Sequence, residues 1–162
     1  MRRHQKGFSL IELLIVVAII LIIAAIAIPN LLRSRMAANE ASAVGSLRTI
    51  NTAEVTYSTT YPSIGFAGLG ALGGAASTCA TATGATSAAA CLIDDVLATT
   101  AVKSGYNFAA AAAGGTPATT YASTATPSAV GQSGQRSFCS DQSGVIRYDA
   151  AGGTCDNTKP AL

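Results

Sequence analysis

The stretch KGFSLIELLIVV, residues 6–17, places a carboxylate at the edge of a long run of apolar residues. From Leu13 to Ile28 every residue is apolar, and Glu12 comes directly before that run. A charged side chain inside an apolar segment of membrane length is costly, and such residues are usually functional. We therefore interpret Glu12 as a functional residue.

The apolar segment is long enough to cross a membrane as a helix. The 21 residues from Phe8 to Ile28 would span roughly 30 Å, the thickness of one hydrocarbon core. The preceding cations Arg2, Arg3 and Lys6 mark the cytoplasmic end by the positive-inside rule. No small-residue cleavage site of the A-x-A kind follows the run, so we expect it to remain in the mature protein.

Beyond the apolar run, the pattern of an amphipathic helix continues. Pro29 ends the run, and a proline inside a helix removes one backbone hydrogen bond, so we predict a kink there. Apolar and aromatic residues recur at helical spacing on one face: Val44, Leu47, Ile50, Tyr57 and Tyr61. The predicted polar remainder of the helix consists of Arg33, Arg35, Asn39, Glu40, Arg48 and Glu54. We predict one long kinked helix from Phe8 to about Tyr61, where Tyr61-Pro62 is a helix stop.

The second half of the chain has the pattern of a loop followed by strands. Residues 63–90 are rich in Gly, Ala, Ser and Thr and predict a loop, and CLIDDVLA favours a short helix. From Tyr106 onward, strands are predicted for YNFAAAAA, TTYASTA, RSFCSD and GVIRYD, with turn residues between them. Alanine prefers helix, but the alanine run is short and bounded by glycine, so we favour a strand. The predicted fold class is α+β: a long helix packed on a small antiparallel sheet.

Composition argues against an enzyme and against a nucleic-acid binder. The one histidine, His4, precedes the apolar run, and the chain has no tryptophan. Histidine is the commonest general acid–base group and a common zinc ligand, so we predict no catalytic residue, no metal and no cofactor. Beyond residues 1–7 there are seven basic and eight acidic side chains, which is no basic surface for phosphates.

The four cysteines predict disulfides in an exported domain. Cys79, Cys91, Cys139 and Cys155 form no CxxC pair, and four cysteines permit three pairings. We favour Cys79–Cys91 and Cys139–Cys155, because each closes a short local loop. The loop-entropy model assigns about 3 kcal/mol to each.

Two further patterns are weaker signals. GLGALG matches G-x-G-x-x-G at Gly68, Gly70 and Gly73, but no strand precedes it, so a glycine loop is the better interpretation. Asp141, Asp149 and Asp156 lie near the C-terminus without the spacing of an EF-hand, and we interpret them as turn residues at strand ends.

The stretch KGFSLIELLIVVAIILIIAAIAIPN resembles the N-terminus of type IV pilins and of the related type II secretion pseudopilins. Gly7, Phe8, Glu12 and Pro29 match the family pattern one by one, over about 25 residues. RSFCSDQSGVIRYD is similar to the closing hairpin of many pilin-like sequences. One departure from the family is Leu21, in a run where many members carry a glycine at which the helix can unravel.

The resemblance implies a route from membrane to filament. A prepilin peptidase should cut between Gly7 and Phe8 and N-methylate Phe8. The subunit should wait in the inner membrane as a single-pass protein and then enter a helical homo-oligomer through the pilus assembly machinery. In that filament Glu12 should pair with the amine of Phe8 on its own or a neighbouring chain. The implied organisation is leader 1–7, transmembrane and filament-core helix 8–29, amphipathic helix 30–62, variable loop 63–105, and antiparallel sheet with a C-terminal disulfide loop 106–162.

Three functions remain open at the level of sequence. The first is a type IV pilus subunit at the cell surface, serving adhesion, twitching motility or DNA uptake. The second is a pseudopilin of a type II secretion system, and the third is a membrane-anchored binding domain that forms no filament. The predicted Cys139–Cys155 bridge and the absence of an acidic C-terminal calcium pattern favour the first.

Overall fold

A computed structural model describes residues 8–80 and 84–162. The chain divides into two compact units, one ending at Arg35 and the other beginning at Met36. The leader, including Gly7 of the predicted cleavage site, lies outside the described residues.

The longest element is helix α1, Leu10–Thr60, of 51 residues. It contains Pro29 without an interruption in its helical assignment, so the predicted kink there stays a prediction. The predicted end of the helix is confirmed: α1 stops at Thr60, and the N–H of Tyr61 still donates to the carbonyl of Tyr57 over 2.8 Å. Pro62 has no N–H with which to continue that ladder.

The sheet is an antiparallel meander of five strands in the order β1-β2-β3-β4-β5. Their bounds are β1 Val102–Lys103, β2 Tyr106–Ala113, β3 Thr120–Pro127, β4 Ser137–Asp141 and β5 Arg147–Asp149. The alanine run forms the end of β2, as predicted, because it pairs along its whole length with β3. The short strand β1 lies inside the predicted loop 63–105, and residues 144–146 precede β5 rather than belong to it.

The core lies where the second half of α1 packs on the sheet. Leu47, Ile50 and Tyr57 are at most 1% exposed. Opposite them, Ala125 of β3 is flanked by its register partners Phe108 and Phe138, and all three side chains are buried. Alternate residues of a strand face the same side, so β3 presents Tyr121, Ser123 and Ala125 to the helix.

The connection between α1 and the sheet is more ordered than its composition predicts. It contains two four-residue helices, α2 Leu69–Leu72 and α3 Ala76–Cys79, and a π-helix at Val96–Thr100. The expected helix over CLIDDVLA is therefore shifted towards the C-terminus. Leu69 and Leu72 are buried in the core, so α2 adds two large apolar side chains to those that the sheet supplies.

Candidate functional site

The N-terminal part of α1 presents an apolar surface all round. The large apolar residues between Phe8 and Leu32 are each 46–80% exposed. Within the described ranges this is the one helix long and apolar enough to cross a membrane, and none of its most apolar window is buried in the protein. Burial of apolar area contributes roughly 25 cal/mol per Å², so such a surface requires a lipid or protein environment.

Glu12 lies in the first turn of α1. The helix begins at Leu10, so Ser9 is its N-cap residue and Glu12 its third residue. The backbone N–H of Ser9 donates to Oε2 of Glu12 over 2.9 Å. This is half of a capping box, in which a glutamate three residues into a helix binds the N-cap amide. The positive end of the helix dipole also favours a carboxylate at this position.

The capping role of Glu12 is a feature that our sequence interpretation missed. Its signal is the spacing Ser9-x-x-Glu12 directly before an apolar run. Within residues 8–80 and 84–162 Glu12 forms no ion pair, so its charge has no counter-ion within the described part of this chain. The hydrogen bond from Ser9 therefore orients the carboxylate of Glu12 at the exposed beginning of an apolar helix.

A partly buried ion pair holds the second half of α1 to the loop before β4. Glu40 accepts from the backbone N–H groups of Gln135 and Arg136 at 2.9 and 3.1 Å. The Arg136 guanidinium donates to Oε2 of Glu40 through Nε and NH2 at 2.9 and 2.8 Å. That guanidinium also lies 5.4 Å from the ring centres of Phe138 and Tyr148, at cation–π distance.

The pKa of Glu40 depends on two opposing effects, burial and the donors that surround the carboxylate. Burial acts to raise the pKa, but the two backbone N–H donors and Arg136 outweigh it and hold the pKa of Glu40 below its ordinary value. Glu40 was predicted to belong to the polar face of the helix. Its side chain is instead 12% exposed, because Gln135 and Arg136 of the loop before β4 pack against it.

Glu54 contradicts the predicted polar face outright. Its side chain is fully buried, and its Oε2 accepts from the N–H of Ala67 over 3.0 Å. The prediction failed because Glu54 is placed on the covered face of α1, between Ile50 and Tyr57, and the chain after α1 folds back over it. Burial raises the pKa of Glu54 to about 7, although the Ala67 N–H acts to lower it.

Two disulfides are present. The predicted Cys79–Cys91 bridge is confirmed, with sulfur atoms 2.02 Å apart. Cys139 of β4 is bonded to Cys155, which ties the C-terminal segment to the sheet. Both sulfurs of this second bridge belong to buried residues, whereas Cys79 is exposed.

The three C-terminal aspartates serve turns and a surface ion pair. Asp141 accepts from the backbone N–H of Ser143, and Asp156 accepts from that of Thr158. Asp149 accepts from Lys159 Nζ at 2.9 Å. Within the described residues no group of three potential metal ligands occurs.

The glycine pattern GLGALG is part of the packing of α2. Gly73 follows that helix, and a Cβ added there would lie 2.3 Å from Cβ of Ala98. The glycine is therefore required by close approach of the chain at Ala98, which explains part of the pattern without a nucleotide.

Comparison with known proteins points to one family. Residues 2–28 match the family described as the prokaryotic N-terminal methylation motif. The type IV wide pilus major component PilA4 of Thermus thermophilus is 66% identical over 38 residues, 24% of this chain and 29% of that protein. The type IV major pilin protein PilA of Myxococcus xanthus is 44% identical over 54 residues, 33% of this chain and 24% of that protein. No solved structure matches.

The chain therefore carries a prepilin-type N-terminal methylation motif at the beginning of a long, exposed apolar helix, and its second unit has an α+β fold. Stretches of two type IV pilins, 38 and 54 residues long, are similar to this chain. The match spans about a quarter of the length of those curated relatives.

Proposed function

We propose that this chain is the structural subunit of a type IV pilus filament at the cell surface, serving adhesion, twitching motility or DNA uptake. The observation that carries the proposal is the apolar surface of α1 from Phe8 to Leu32, which begins with a capped carboxylate. A lipid bilayer can cover that surface before assembly, and identical helices can cover it afterwards.

Processing precedes assembly in this proposal. The cations of the leader keep Gly7 and Phe8 on the cytoplasmic side, where prepilin peptidase cuts between them and methylates the new amine of Phe8. N-methylation leaves that amine basic and cationic. The processed chain then stays in the inner membrane as a single-pass protein until the pilus assembly machinery extracts it.

Assembly brings a counter-ion to Glu12. The amine of Phe8, on its own chain or a neighbouring one, is the cation that the described part of the chain lacks. In the low dielectric of a helix bundle this pair is strong when well placed, and an unpaired carboxylate is penalised. Subunits that enter the filament in the correct axial position neutralise the charge, and misplaced subunits do not.

The second unit of the chain coats the filament in this proposal. The Glu40–Arg136 ion pair and the Cys139–Cys155 bridge hold α1, β4 and the C-terminal segment together as one exported domain. The Cys139–Cys155 bridge also supports a pilin over a pseudopilin, which is the alternative assignment.

Electron microscopy of fibres sheared from the cell surface tests this function. We expect abundant long fibres whose main component, by mass spectrometry, is this chain beginning at Phe8, and none from a strain that lacks its gene. If long fibres persist without the gene and a protein-export defect appears instead, the chain is a pseudopilin. If the chain is found only in the membrane and in no fibre, it is a membrane-anchored binding domain and not a filament subunit.

A further inference from the structure

Glu54 is unusual because it is buried without a counter-charge. Its Oε2 accepts from Ala67, while Oε1 has no hydrogen-bond partner within the described residues. A buried carboxylate with one hydrogen bond is heavily penalised in its ionised form and much less in its neutral form. The proposed function makes no use of this residue.

Among the residues that the structure describes, no second donor reaches Glu54. Tyr57, one turn along α1, donates its hydroxyl proton to the carbonyl of Ser87 over 2.6 Å. Tyr121 of β3 donates to Oδ1 of Asn51 over 3.0 Å. Each hydroxyl has a single proton, so neither tyrosine can also donate to Glu54.

The covering segment supplies no charge either. Residues 64–72, which we name the latch segment, contain no titratable side chain. In the described part of the chain, Tyr57 and Tyr121 are titratable groups that interact with Glu54, and the proximity of Glu54 contributes to the raised pKa of both. Asp141 of β4 acts on Tyr121 in the same direction. Within the described ranges no lysine or arginine pairs with Glu54.

The latch segment is fixed at its far end, where Leu69 and Leu72 are buried in the core and the carbonyls of Ala71 and Leu72 accept from the N–H groups of Ala90 and Leu92 over 2.8 Å each. Its first part, close to Glu54, is held by fewer contacts. The N–H of Phe66 donates to the carbonyl of Ala118 over 3.2 Å, and its ring centre lies 4.9 Å from that of Tyr121. Gly65 adopts a φ of +83°, and a Cβ there would lie 2.1 Å from the oxygen of Ala118, so the segment passes that loop in very close contact. Opening the segment at Ala67 would expose the Glu54 carboxyl to water.

We propose that Glu54 is a proton-dependent latch: its neutral carboxyl group holds the first part of the latch segment, around Phe66 and Ala67, closed over α1 and β3, and its ionisation releases that part. The direction follows from linkage. The closed carboxyl binds its proton up to about pH 7, whereas an ordinary glutamate loses it near 4.5. Closure is therefore favoured most below pH 4.5, and this contribution is lost as the pH rises through 7. If the carboxyl group of Glu54 is fully hydrated in the open state, its pKa there is the ordinary 4.5, against about 7 in the closed state. The equilibrium constant for opening then rises roughly 70-fold between pH 5 and pH 8.

Amide hydrogen exchange of the full chain in detergent micelles tests the latch. Between pH 5 and pH 8, after correction for intrinsic exchange, the protection of Ala67 and Phe66 should fall at least tenfold. Amides of the β3–β4 ladder should not change. In Glu54→Gln, which keeps the acceptor for Ala67 and cannot ionise, the fall should be absent. Equal protection at both pH values in the natural chain, or the same fall in Glu54→Gln, would overturn the proposal.

A titration of the natural chain needs no variant at position 54. The chain has three glutamates, Glu12, Glu40 and Glu54, so selective labelling with carboxyl ¹³C produces three side-chain signals. Glu12→Gln and Glu40→Gln assign the third signal by elimination. We expect the Glu54 signal to titrate with a midpoint near 7, and a midpoint below 5.5 would refute the latch even if Glu54→Gln did not fold.

Discussion

The backbone N–H of Ser9 donates to Oε2 of Glu12 over 2.9 Å at the beginning of α1. The same carboxylate can therefore cap its own helix and, in the proposed filament, meet the amine of Phe8. These two roles differ in what they require. Capping needs an acceptor, which a glutamine also supplies, whereas pairing with a cation needs the charge.

Substitution of Glu12 separates the two roles. We predict that Glu12→Ala leaves membrane insertion and folding intact but nearly abolishes fibres, because the Phe8 amine then enters the filament core unpaired. Removing one partner of a buried pair typically costs about 3–5 kcal/mol, a factor of roughly one hundred to a few thousand at each subunit contact. The measurement is an immunoblot of sheared fibres against membrane-bound subunit.

Glu12→Gln is the matched control for the cap. It keeps the acceptor for the Ser9 N–H and lacks the charge, so we expect it to assemble nearly as poorly as Glu12→Ala. Normal fibres from Glu12→Gln would mean that capping, and not charge pairing, is what assembly requires. Normal fibres from both variants would mean that assembly requires neither the charge nor the acceptor of Glu12, and that the residue is only tolerated at the membrane surface.

Processing depends on a glycine before Phe8. We predict that Gly7→Val blocks cleavage, because a branched side chain does not fit a site that accepts glycine. The intact mass of the purified protein then includes residues 1–7 and lacks the N-methyl group. Lys6→Ala, which leaves the cleaved bond unchanged, should still give a chain beginning at Phe8. Cleavage at any other bond in the natural chain would contradict this prediction.

The two disulfides should differ in their response to reduction. Cys79 is exposed, whereas Cys139 and Cys155 are 5% and 7% exposed, so a mild reductant should open Cys79–Cys91 first. Alkylation followed by peptide mapping measures the order. Double substitution of Cys139 and Cys155 by alanine should lower the free energy of unfolding by about 3 kcal/mol. Crossed pairs in non-reducing maps, or simultaneous opening, would be incompatible with this structure.

The Glu40–Arg136 contact should be a major contribution to the stability of the domain. Glu40→Ala leaves two backbone N–H donors and a guanidinium without their acceptor, so we predict a loss of about 3 kcal/mol in the free energy of unfolding. Glu40→Gln should lose less, because it keeps one acceptor. Asp95→Asn, at an exposed position, should change stability by no more than about 0.5 kcal/mol.

At acid pH the natural chain should no longer be more stable to unfolding than the Glu40→Gln variant. Its pKa is lowered in the folded protein, so its contribution is present above the ordinary value of 4.5 and is lost as the pH falls through the lowered value. Denaturant unfolding in micelles, followed by the near-ultraviolet circular dichroism of the tyrosines, measures the difference between the natural chain and Glu40→Gln. A difference that stays constant from pH 7 to pH 3 would exclude a role for the charge.

Local patterns determined the outline of this protein. The apolar run and the stripe of Leu47, Ile50 and Tyr57 predicted α1 to within two residues at its start and one at its end. The alanine run was predicted as a strand from its glycine boundary, and the short loop between Cys79 and Cys91 predicted their pairing. Such features can be predicted because periodicity, turn residues and loop length act over a few neighbouring positions.

Tertiary structure alone decided the fate of the two glutamates in the second half of α1. Glu40 and Glu54 were predicted as polar positions, although both lie at helical spacing from the apolar stripe, Glu40 four residues before Val44 and Glu54 four residues after Ile50. The sequence nearby does not show which segment covers each carboxyl. Arg136 is 96 residues from Glu40, and Ala67 reaches Glu54 only because the chain after α1 turns back over the helix. Burial, and with it the opposite pKa shifts of these carboxyls, depends on which distant segment covers each one, and a local sequence pattern does not contain that information.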